Sequence, residues 1–365
     1  MTASNHPSRR DFLRGKATAD ALADALHSQQ LDQAATTSLF APRSSLLLSV
    51  RRRAMACEFE AQLPAGQEEA VEVVVEALDL VEALEDQMTV YRDDSEVIRI
   101  NRRAADGPVL VEPHLFALFQ LAERWHRETG GALDITSGPL SEVWGFSRRA
   151  GRWPDDDELA TALARVGMDQ VELDETNRSI SFLRPGVSVN LNSIGKGYAL
   201  DRMADLLAER GVGDFLLHGG RSSVLARGDG PAMSGWSIGL RHPLRPDERM
   251  AEMWLHDQAL ATSGSGTQYF SHDGRRYGHL LDPHTGLPAE GVYTATVIAP
   301  TAAEADALST AFYIMGPEAV GRYCASHPQV AALLVCPATE PPEGDSVRLL
   351  AFGLDEGQWK QLTDS

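Results

Sequence analysis

Cysteine, lysine and long apolar runs are all scarce in this chain. Its 365 residues include three cysteines, Cys57, Cys324 and Cys336, and these form no CxxC pair. The odd number argues against a disulfide framework or a zinc cluster, and it favours buried thiols that act as small apolar residues. No stretch approaches the roughly 20 apolar residues of a membrane-spanning helix. We therefore expect no membrane span and no cysteine-based metal site.

Positive charge is also scarce. The chain carries 33 Lys and Arg residues against 52 Asp and Glu residues, which gives a formal net charge of −19 at pH 7. A nucleic-acid partner needs a basic face that displaces counterions from phosphates, so this balance argues against one. An acidic protein can still bind an anionic nucleotide where a metal and backbone dipoles offset the charge. Lys196 lies inside the predicted folded body, whereas Lys16 and Lys360 lie near the ends of the chain.

The composition predicts a flexible tail over residues 1–45 and one folded domain over residues 46–365. The segment SRRDFLR, from Ser8 to Arg14, resembles the twin-arginine export signal, which needs an apolar run after it. Residues 16–37 carry several charged and polar side chains, so they predict a weak amphipathic helix and not the roughly 7–15 apolar residues of a signal. Export to the periplasm and retention in the cytoplasm are both compatible with this tail.

Strands and helices are interspersed along the folded domain, without strict βαβ alternation and without an internal repeat. This arrangement predicts an α+β fold. Apolar residues at helical spacing, such as Val74, Leu78 and Val81, predict helices at residues 67–88, 113–130, 154–166 and 198–210. Short alternating runs predict strands at residues 54–63, 187–191, 215–217, 222–225 and 236–240, and a hairpin at 171–182.

The sharpest chemical pattern lies in residues 301–315. Thr301 to Glu304 (TAAE) is a capping-box pattern before an apolar run, so a helix is predicted to begin there. Asp306 and Thr310 lie four residues apart with Ser309 beside them, so their oxygens share one helix face. One carboxylate with hydroxyls, without His or Cys, suits a hard cation such as Mg²⁺. From the pattern alone, an exposed aspartate with two ordinary hydroxyls is the favoured interpretation.

Three further segments combine glycine with polar residues. Residues 190–198 (NLNSIGKGY) predict a strand, a glycine turn and a helix N-terminus, which suits phosphate, although a structural turn explains them equally well. Residues 130–140 (GGALDITSGPL) place Asp134 among small residues, where a flat ligand or a capped backbone amide is expected. Residues 277–286 (YGHLLDPHTG) place His279 before an apolar pair, as a base or as a hydrogen-bonded core histidine.

Taken in their order along the chain, these four segments resemble the ApbE family, the FAD:protein FMN transferases. Further motifs match in the same order, at Met55, 88–91, 95–97, Asn101, 144–146, 218–220, 236–243 and 261–264. The resemblance extends from about Ser49 to the C-terminus. It implies an α+β fold in which a cleft between antiparallel or mixed sheet lobes and helices holds FAD, with Mg²⁺ bridging the phosphates.

The resemblance also implies roles for individual residues. The Mg²⁺ ligands would be Asp306, Thr310 and Ser193, the last through its backbone carbonyl. His279 matches a position that assists proton removal from the acceptor hydroxyl. The FAD contacts would be Met55, Tyr91, Ala132, Leu133, Asp134, Asn190, Lys196 and Leu280.

The reaction implied by the resemblance transfers FMN from FAD to a Thr or Ser hydroxyl of a target protein and releases AMP. The acceptor hydroxyl is a weak nucleophile, which explains the need for a base with a near-neutral pKa. Two alternatives are compatible with the same residues. One is a Mg²⁺-dependent FAD pyrophosphatase that gives FMN and AMP, and the other is a non-catalytic FAD-binding protein. The acceptor protein and the oligomeric state are not predicted.

The chain departs from the family pattern in three places. Asn190 stands where Asp is usual, so one negative contact to the ligand becomes neutral. Arg221 and Ser222 replace the acidic residue that commonly follows the paired glycine. Ser309 stands where some members have Asp, which would weaken metal binding if that carboxylate contributes. A specialised or less active member of the family is compatible with these changes.

Overall fold

A computed structural model describes residues 46–146, 151–231, 235–264, 266, 269–272, 275–339 and 345–362. The predicted tail of residues 1–45, with its twin-arginine-like segment, lies outside these residues. The described helices are α1 (Val71–Met88), α2 (Glu96–Arg103), α3 (Pro113–Glu128), α4 (Gly138–Val143), α5 (Asp156–Leu163), α6 (Gly195–Glu209) and α7 (Ala302–Ser326). None of these helices is long and apolar enough to cross a membrane.

The described strands run through the whole folded part of the chain. They are β1 (Leu47–Ala54), β2 (Cys57–Pro64), β3 (Val109–Leu110), β4 (Val171–Asp174), β5 (Ser179–Phe182), β6 (Phe215–Gly219), β7 (Ser223–Arg227), β8 (Trp236–Arg241), β9 (Arg249–Leu255), β10 (Ala259–Gly264), β11 (Tyr269–His272), β12 (Arg275–Gly278), β13 (Thr294–Ala299), β14 (Ala331–Pro337), β15 (Val347–Phe352) and β16 (Trp359–Gln361).

The largest sheet has eight strands in the order β1-β2-β6-β7-β10-β13-β14-β15, and each neighbouring pair is antiparallel. Two three-stranded sheets have the orders β16-β9-β8 and β3-β5-β4, and β11 pairs with β12. Antiparallel sheets with helices interspersed between their strands make an α+β architecture. The predicted fold class is therefore confirmed.

Helices α1, α6 and α7 pack together on one face of the large sheet. Phe59 of β2, Leu200 of α6 and Phe312 of α7 are fully buried in this shared core. Burial of one such side chain stabilises the fold by about 1.5–3 kcal/mol. The sheet formed by β16, β9 and β8 packs on the other face through residues such as Trp236 and Leu260. This layering holds the first turns of α6 and α7 beside each other and near the start of β7.

The first hairpin corrects the strand predicted at residues 54–63. β1 ends at Ala54, Met55 and Ala56 form a two-residue turn, and β2 begins at Cys57. Both turn residues have positive φ, 49° for Met55 and 57° for Ala56. Two-residue hairpin turns of this kind need positive φ at both positions, which residues other than glycine adopt at a cost. The predicted strand therefore starts three residues too early.

The strand predicted at residues 187–191 is wrong. This segment has no regular secondary structure and pairs with no strand of the described residues. The side-chain amide of Asn101 takes the place of a strand partner, since its Nδ2 donates to the Val189 carbonyl at 2.9 Å and its Oδ1 accepts from the Val189 N–H at 2.8 Å. A single side chain thus satisfies both backbone polar groups of Val189, which a strand partner would otherwise satisfy.

Other predicted elements are confirmed, with ends that differ by a few residues. The helix predicted at residues 154–166 spans Asp156–Leu163, where Asp155 and Glu158 form a capping box. The hairpin predicted at residues 171–182 consists of β4 and β5. The helices predicted at 67–88, 113–130 and 198–210 correspond to α1, α3 and α6. Local periodicity therefore located α1, α3 and α6.

Helix α7 begins where the capping pattern predicts. The hydroxyl of Thr301 accepts a hydrogen bond from the backbone N–H of Glu304 at 3.3 Å. The helix kinks at Gly316, where φ is 74°, and Pro317 follows it. A proline cannot donate the next helical hydrogen bond, so a kink at this point is expected. The kink lies well beyond Asp306 and Thr310, which belong to the straight first part of the helix.

Candidate functional site

Asp306 is buried, with 5% of its surface exposed. Its Oδ2 accepts a hydrogen bond from the backbone N–H of Gly197 at 2.7 Å, and its Oδ1 accepts one from the Ser223 hydroxyl at 2.6 Å. The Lys196 ammonium nitrogen lies 3.7 Å from Oδ2. A carboxylate offers about four lone-pair positions, so these partners leave capacity for a cation. The exposed aspartate favoured by the local pattern is therefore wrong.

Three hydroxyls form a chain beside Asp306. The Ser309 hydroxyl donates to the Asp306 backbone carbonyl at 2.9 Å, and Ser263 Oγ lies 2.8 Å from Ser309 Oγ and 3.1 Å from Thr310 Oγ1. Each hydroxyl has one hydrogen. Because Ser309 uses its hydrogen on the carbonyl, Ser263 donates to Ser309 and Thr310 donates to Ser263. The lone pairs of Thr310 are then available to a cation.

The turn before α6 connects two of the predicted segments. The Asn190 backbone N–H donates to the Ile135 carbonyl at 2.7 Å, and its side-chain Oδ1 accepts from the Asn192 N–H at 2.9 Å. The second contact is an Asx-turn, which directs the chain into the helix. Ser193 follows in this turn and is half-buried. The structure thus brings residues 190–198 against residues 130–140 on one side and against Asp306 on the other.

Gly197 allows the backbones of α6 and α7 to approach closely. A Cβ atom at this position would lie 2.0 Å from the Ala302 carbonyl oxygen. That distance is far below van der Waals contact, so a side chain at residue 197 would push the two helices apart. The glycine pattern seen in the sequence therefore has a specific structural reason at Gly197. The approach also places the partly positive N-terminus of α6 beside the Asp306 carboxylate.

The Asp134 carboxylate accepts hydrogen bonds from within its own turn. Its Oδ1 accepts from the backbone N–H of Thr136 at 2.7 Å and from the Thr136 hydroxyl at 2.5 Å, and its Oδ2 lies 3.4 Å from His126 Nδ1. Burial raises the pKa of the Asp134 carboxyl, and the Thr136 hydrogen bonds and the nearby His126 oppose this shift. Ala132 and Leu133 are buried. A ligand at this segment would therefore meet backbone groups more readily than side chains.

His284 connects this segment to residues 277–286. Its Nε2 lies 3.0 Å from the Gly130 carbonyl oxygen and its Nδ1 lies 3.0 Å from Asp282 Oδ1. The Asp282 side chain also accepts the backbone N–H of His284, which closes the turn. Sequence reasoning missed this role, because it assigned the chemistry of the segment to His279. The available signal was the Asp-Pro-His-Thr-Gly spacing, which is typical of an Asx-type turn.

His279 follows β12 directly and is half-buried. Its ring lies edge-on to Phe146, with 6.4 Å between the centroids, so the structure brings it against the matching motif at residues 144–146. Leu280 is partly buried against the main core, and its carbonyl accepts the Ala289 N–H at 2.9 Å. Tyr91 is 67% exposed. An exposed aromatic ring can cover a planar ligand without repacking the core.

The turn at Met55 faces the same region as Asp306. The Met55 N–H donates to Glu85 Oε2 at 2.7 Å, which holds the strained turn against the end of α1. Burial raises the pKa of the neighbouring Cys57 thiol, and the charges of Lys196, Glu85 and Asp306 all act on it. The turn of the first hairpin, the end of α1 and the starts of α6 and α7 therefore lie close together in one small region. Strained backbone of this kind is concentrated at functional sites.

Sequence reasoning assigned no role to several residues that shape this region. Ser223 and Ser263 contact Asp306 and Thr310, and Glu85 holds the Met55 turn. Ser263 belongs to the matching motif at residues 261–264, which was a usable signal. No sequence signal distinguished Glu85, because it is one of many acidic residues on α1.

The donor set at Asp306 fits a hard cation. Within the part of the chain that the structure describes, no group of three or more His, Cys, Asp or Glu side chains could hold a metal. Asp306, Thr310 and the Ser193 carbonyl would offer oxygen ligands alone. Mg²⁺ often binds through one or two carboxylates, with waters and substrate phosphates completing its shell. A single buried carboxylate beside a helix N-terminus is therefore compatible with Mg²⁺ held together with a phosphate ligand.

Comparison with known proteins gives a consistent set of relatives. The chain is 33% identical to the FAD:protein FMN transferase of Haemophilus influenzae over 241 residues, which cover 64% of this chain and 69% of the relative. It is 33% identical to the protein of the same name from Vibrio cholerae over 261 residues, which cover 70% and 77%.

Solved structures agree with this similarity. A crystal structure of the ApbE protein of Thermotoga maritima has a TM-score of 0.74 at 28% identity, covering 83% of this chain and 96% of that one. The flavin transferase ApbE of Vibrio cholerae has a TM-score of 0.73 at 28% identity, covering 84% and 98%. A model of the ApbE family matches residues 55–334. With more than half of its length matched, this chain belongs to the ApbE family.

Proposed function

We propose that this protein is an FAD:protein FMN transferase that depends on Mg²⁺, uses a Thr or Ser hydroxyl of an acceptor protein, and releases AMP. Its curated relatives carry the name of this activity. The observation that carries the proposal is the position of Asp306, a buried carboxylate held against the N-terminus of α6 and beside Lys196.

The pyrophosphate of FAD would bind at the N-terminus of α6, beside Asp306. A helix N-terminus carries partial positive charge and presents backbone N–H groups, which suits phosphate. Lys196 adds a full positive charge in the first turn of α6. The Asp306 carboxylate, 3.7 Å from the Lys196 ammonium, offsets this charge, so the helix N-terminus and a bound Mg²⁺ would supply the remaining positive potential. A protein with a net charge of −19 can bind an anionic nucleotide in this way.

Asp306, Thr310 and the backbone carbonyl of Ser193 would hold Mg²⁺ next to that phosphate. When bound, the ion would polarise phosphoryl oxygens and help to orient the pyrophosphate. Ser309, where some relatives have Asp, donates its hydroxyl to the Asp306 backbone carbonyl and is buried. This member would therefore hold its metal with one carboxylate, and we expect weaker Mg²⁺ binding than with two.

His279 would accept the proton of the acceptor hydroxyl. The hydroxyl oxygen attacks the phosphorus of the FMN half, a new P–O bond forms to the Thr or Ser side chain, and the P–O bond to the AMP half breaks. The proton moves to an imidazole nitrogen, and AMP leaves with the bridging oxygen. A histidine suits this role because its unperturbed pKa lies near neutral pH. Its half-buried position lets an incoming side chain reach it.

FAD contacts would come from several elements around this centre. Met55 and Tyr91 would contact the flavin or adenosine from the side of α1. Asn190 and Leu280 would contact it from the turn before α6 and the segment after β12. Residues 132–134 would contribute through their backbone, because the side chains of Ala132 and Leu133 are buried and Asp134 is engaged by Thr136.

The proposal is tested with purified protein, FAD, MgCl₂ and a panel of Thr-containing membrane and soluble redox proteins as acceptors. Flavin that stays on an acceptor after acid treatment, with one AMP released per attached FMN and loss of both in EDTA, supports the transferase. AMP and free FMN without attachment would identify a pyrophosphatase. Tight FAD binding without any AMP release would identify a binding protein.

A further inference from the structure

The first turns of α6 and α7 each receive a carboxylate from the other helix. Asp201 of α6 accepts hydrogen bonds from the backbone N–H groups of Ala302 at 2.7 Å and Ala303 at 2.8 Å. In return, Asp306 of α7 accepts the N–H of Gly197 at 2.7 Å. The first N–H groups of a helix have no partner within it and carry partial positive charge, so a carboxylate suits both ends. The two helices therefore cap each other.

No side chain separates the two capped ends. The position where a Cβ of Gly197 would lie is 2.0 Å from the Ala302 carbonyl oxygen, so backbone packs directly on backbone. Asp306 lies about one helical turn after the residues that Asp201 holds, and a helix turn is stiff over that length. A shift of Ala302 and Ala303 would therefore move the Asp306 carboxylate relative to Gly197.

The same helix contains a second aspartate that lacks this contact. Asp205 lies one turn after Asp201, has 70% of its side chain exposed and is 3.9 Å from Arg202. The charged groups that act on Asp201 are Asp205 on its own helix and Arg227 at the end of β7. Asp201 thus differs from Asp205 in its bonds to α7 and in its burial, while residue type and helix are the same.

We propose that Asp201 is a positioning residue for the metal site. By holding the first two N–H groups of α7, it fixes where Asp306 lies relative to Lys196 and the N-terminus of α6. Asp201 would touch neither the metal nor FAD, and its effect would pass through the first turn of α7. The inference rests on the proposed function, because it concerns the Mg²⁺ that Asp306 would bind.

The test compares Asp201→Asn with Asp205→Asn in the full chain. Asparagine keeps one acceptor oxygen, so it can cap one of the two N–H groups. FAD binding is followed by flavin fluorescence while MgCl₂ is varied, and amide exchange is followed by mass spectrometry over residues 302–306. Losing a capping contact of this kind weakens a helix end enough to change an equilibrium about fivefold to tenfold. We expect the half-saturating Mg²⁺ concentration of Asp201→Asn to rise by that factor and exchange over residues 302–306 to quicken.

FAD affinity at saturating Mg²⁺ should stay near the wild-type value, and Asp205→Asn should match the wild type in every respect. A purely structural role would lower the amount of folded protein without changing the half-saturating Mg²⁺ concentration of the folded fraction. An unchanged Mg²⁺ dependence in folded Asp201→Asn would overturn the inference and leave the proposed function standing. If FAD binding by the wild type does not depend on Mg²⁺, the proposed metal role and this inference both fail.

A second variant covers the case in which Asp201→Asn does not fold. Asp201→Glu keeps the carboxylate but displaces it by one methylene, so the capping bonds lengthen while the charge stays. Its half-saturating Mg²⁺ concentration should lie above that of the wild type. Folded Asp201→Glu with wild-type Mg²⁺ dependence, together with faster exchange over residues 302–306, would show that the cap does not position Asp306 and would overturn the inference.

Discussion

The hydroxyl of Ser223 donates a hydrogen bond of 2.6 Å to Oδ1 of Asp306. The other carboxylate oxygen accepts the Gly197 N–H, so Asp306 satisfies two buried donors in addition to any metal. A buried donor without an acceptor costs about 1–3 kcal/mol. Alanine at position 306 would therefore destabilise the fold as well as remove the metal ligand. Asparagine keeps the shape of the side chain, so it separates loss of the metal ligand from loss of the fold better than alanine does.

We expect Asp306→Asn to reduce Mg²⁺-dependent AMP release from FAD by about 100-fold or more, because the neutral amide loses the charge that holds the cation. The free energy of unfolding should fall by about 1–3 kcal/mol, since the amide nitrogen cannot accept one of the two hydrogen bonds. AMP release measured at increasing MgCl₂ and urea unfolding check the two effects separately. Asp205→Asn is the matched control, and activity of Asp306→Asn at the wild-type level would remove the metal assignment.

Two glycines in the first turn of α6 should respond in opposite ways to alanine. At Gly197 an added Cβ would lie 2.0 Å from the Ala302 carbonyl oxygen, whereas at Gly195 the nearest atom is Met88 Cε at 3.7 Å. We expect Gly197→Ala to destabilise the fold by about 3 kcal/mol or more, through displacement of α7. Gly195→Ala should be neutral or stabilising by up to about 1 kcal/mol, because alanine loses less entropy in a helix. Denaturant unfolding of both variants measures these changes in stability. Equal destabilisation would contradict the close approach of the α6 and α7 backbones at Gly197.

Local sequence patterns predicted much of the fold. Helices α1, α3, α5 and α6 and the start of α7 were predictable because their apolar stripes and caps are local, as at Thr301 and Asp155. The short helices α2 and α4 were not predicted. Strand β1 was harder to predict, since Arg51, Arg52 and Arg53 interrupt its apolar pattern. The structure explains two of these arginines, because Arg52 pairs with Asp79 of α1 and Arg51 pairs across the strands with Glu60.

The sequence named candidate residues for the site but did not predict their geometry. The ordered motifs made Asp306 and Lys196 candidates, yet the buried contacts of Asp306 are with Gly197 and Ser223, which lie 109 and 83 residues away in sequence. The segment at Val189 depends likewise on Asn101, 88 residues away. Contacts at such separations leave no periodic signal. They follow from how the layers pack and not from propensity.

We expect His279→Ala to slow FMN transfer to an acceptor by about 10²–10⁴-fold, the usual contribution of a general base. FAD affinity should change little, because the proposed contacts to FAD come from other residues. Transfer rates at saturating FAD and a fluorescence titration of FAD binding separate the two quantities. His256→Ala, at an exposed histidine paired with Asp229, is the control. A large loss of FAD affinity with normal transfer at saturation would show that His279 binds FAD instead of acting as a base.

Asp201 should also make stability depend on pH. Burial raises the pKa of its carboxyl from 3.8 to about 6, against the opposing effect of the Ala302 and Ala303 hydrogen bonds. Because the folded-state pKa lies above the unfolded value, folding takes up a proton between these values. The stabilising contribution is complete below about pH 3.8 and is lost as pH rises through about 6.

The wild type should therefore lose up to about 3 kcal/mol of unfolding free energy relative to Asp201→Asn between pH 4 and pH 6.5, with little further change above that. Urea unfolding of both proteins across this range measures the difference, and the other titrating groups cancel in the comparison because they are common to both. A difference that is constant over the range would mean that Asp201 stays ionised in the folded protein. The hydrogen bonds from α7 would then outweigh burial in setting its pKa.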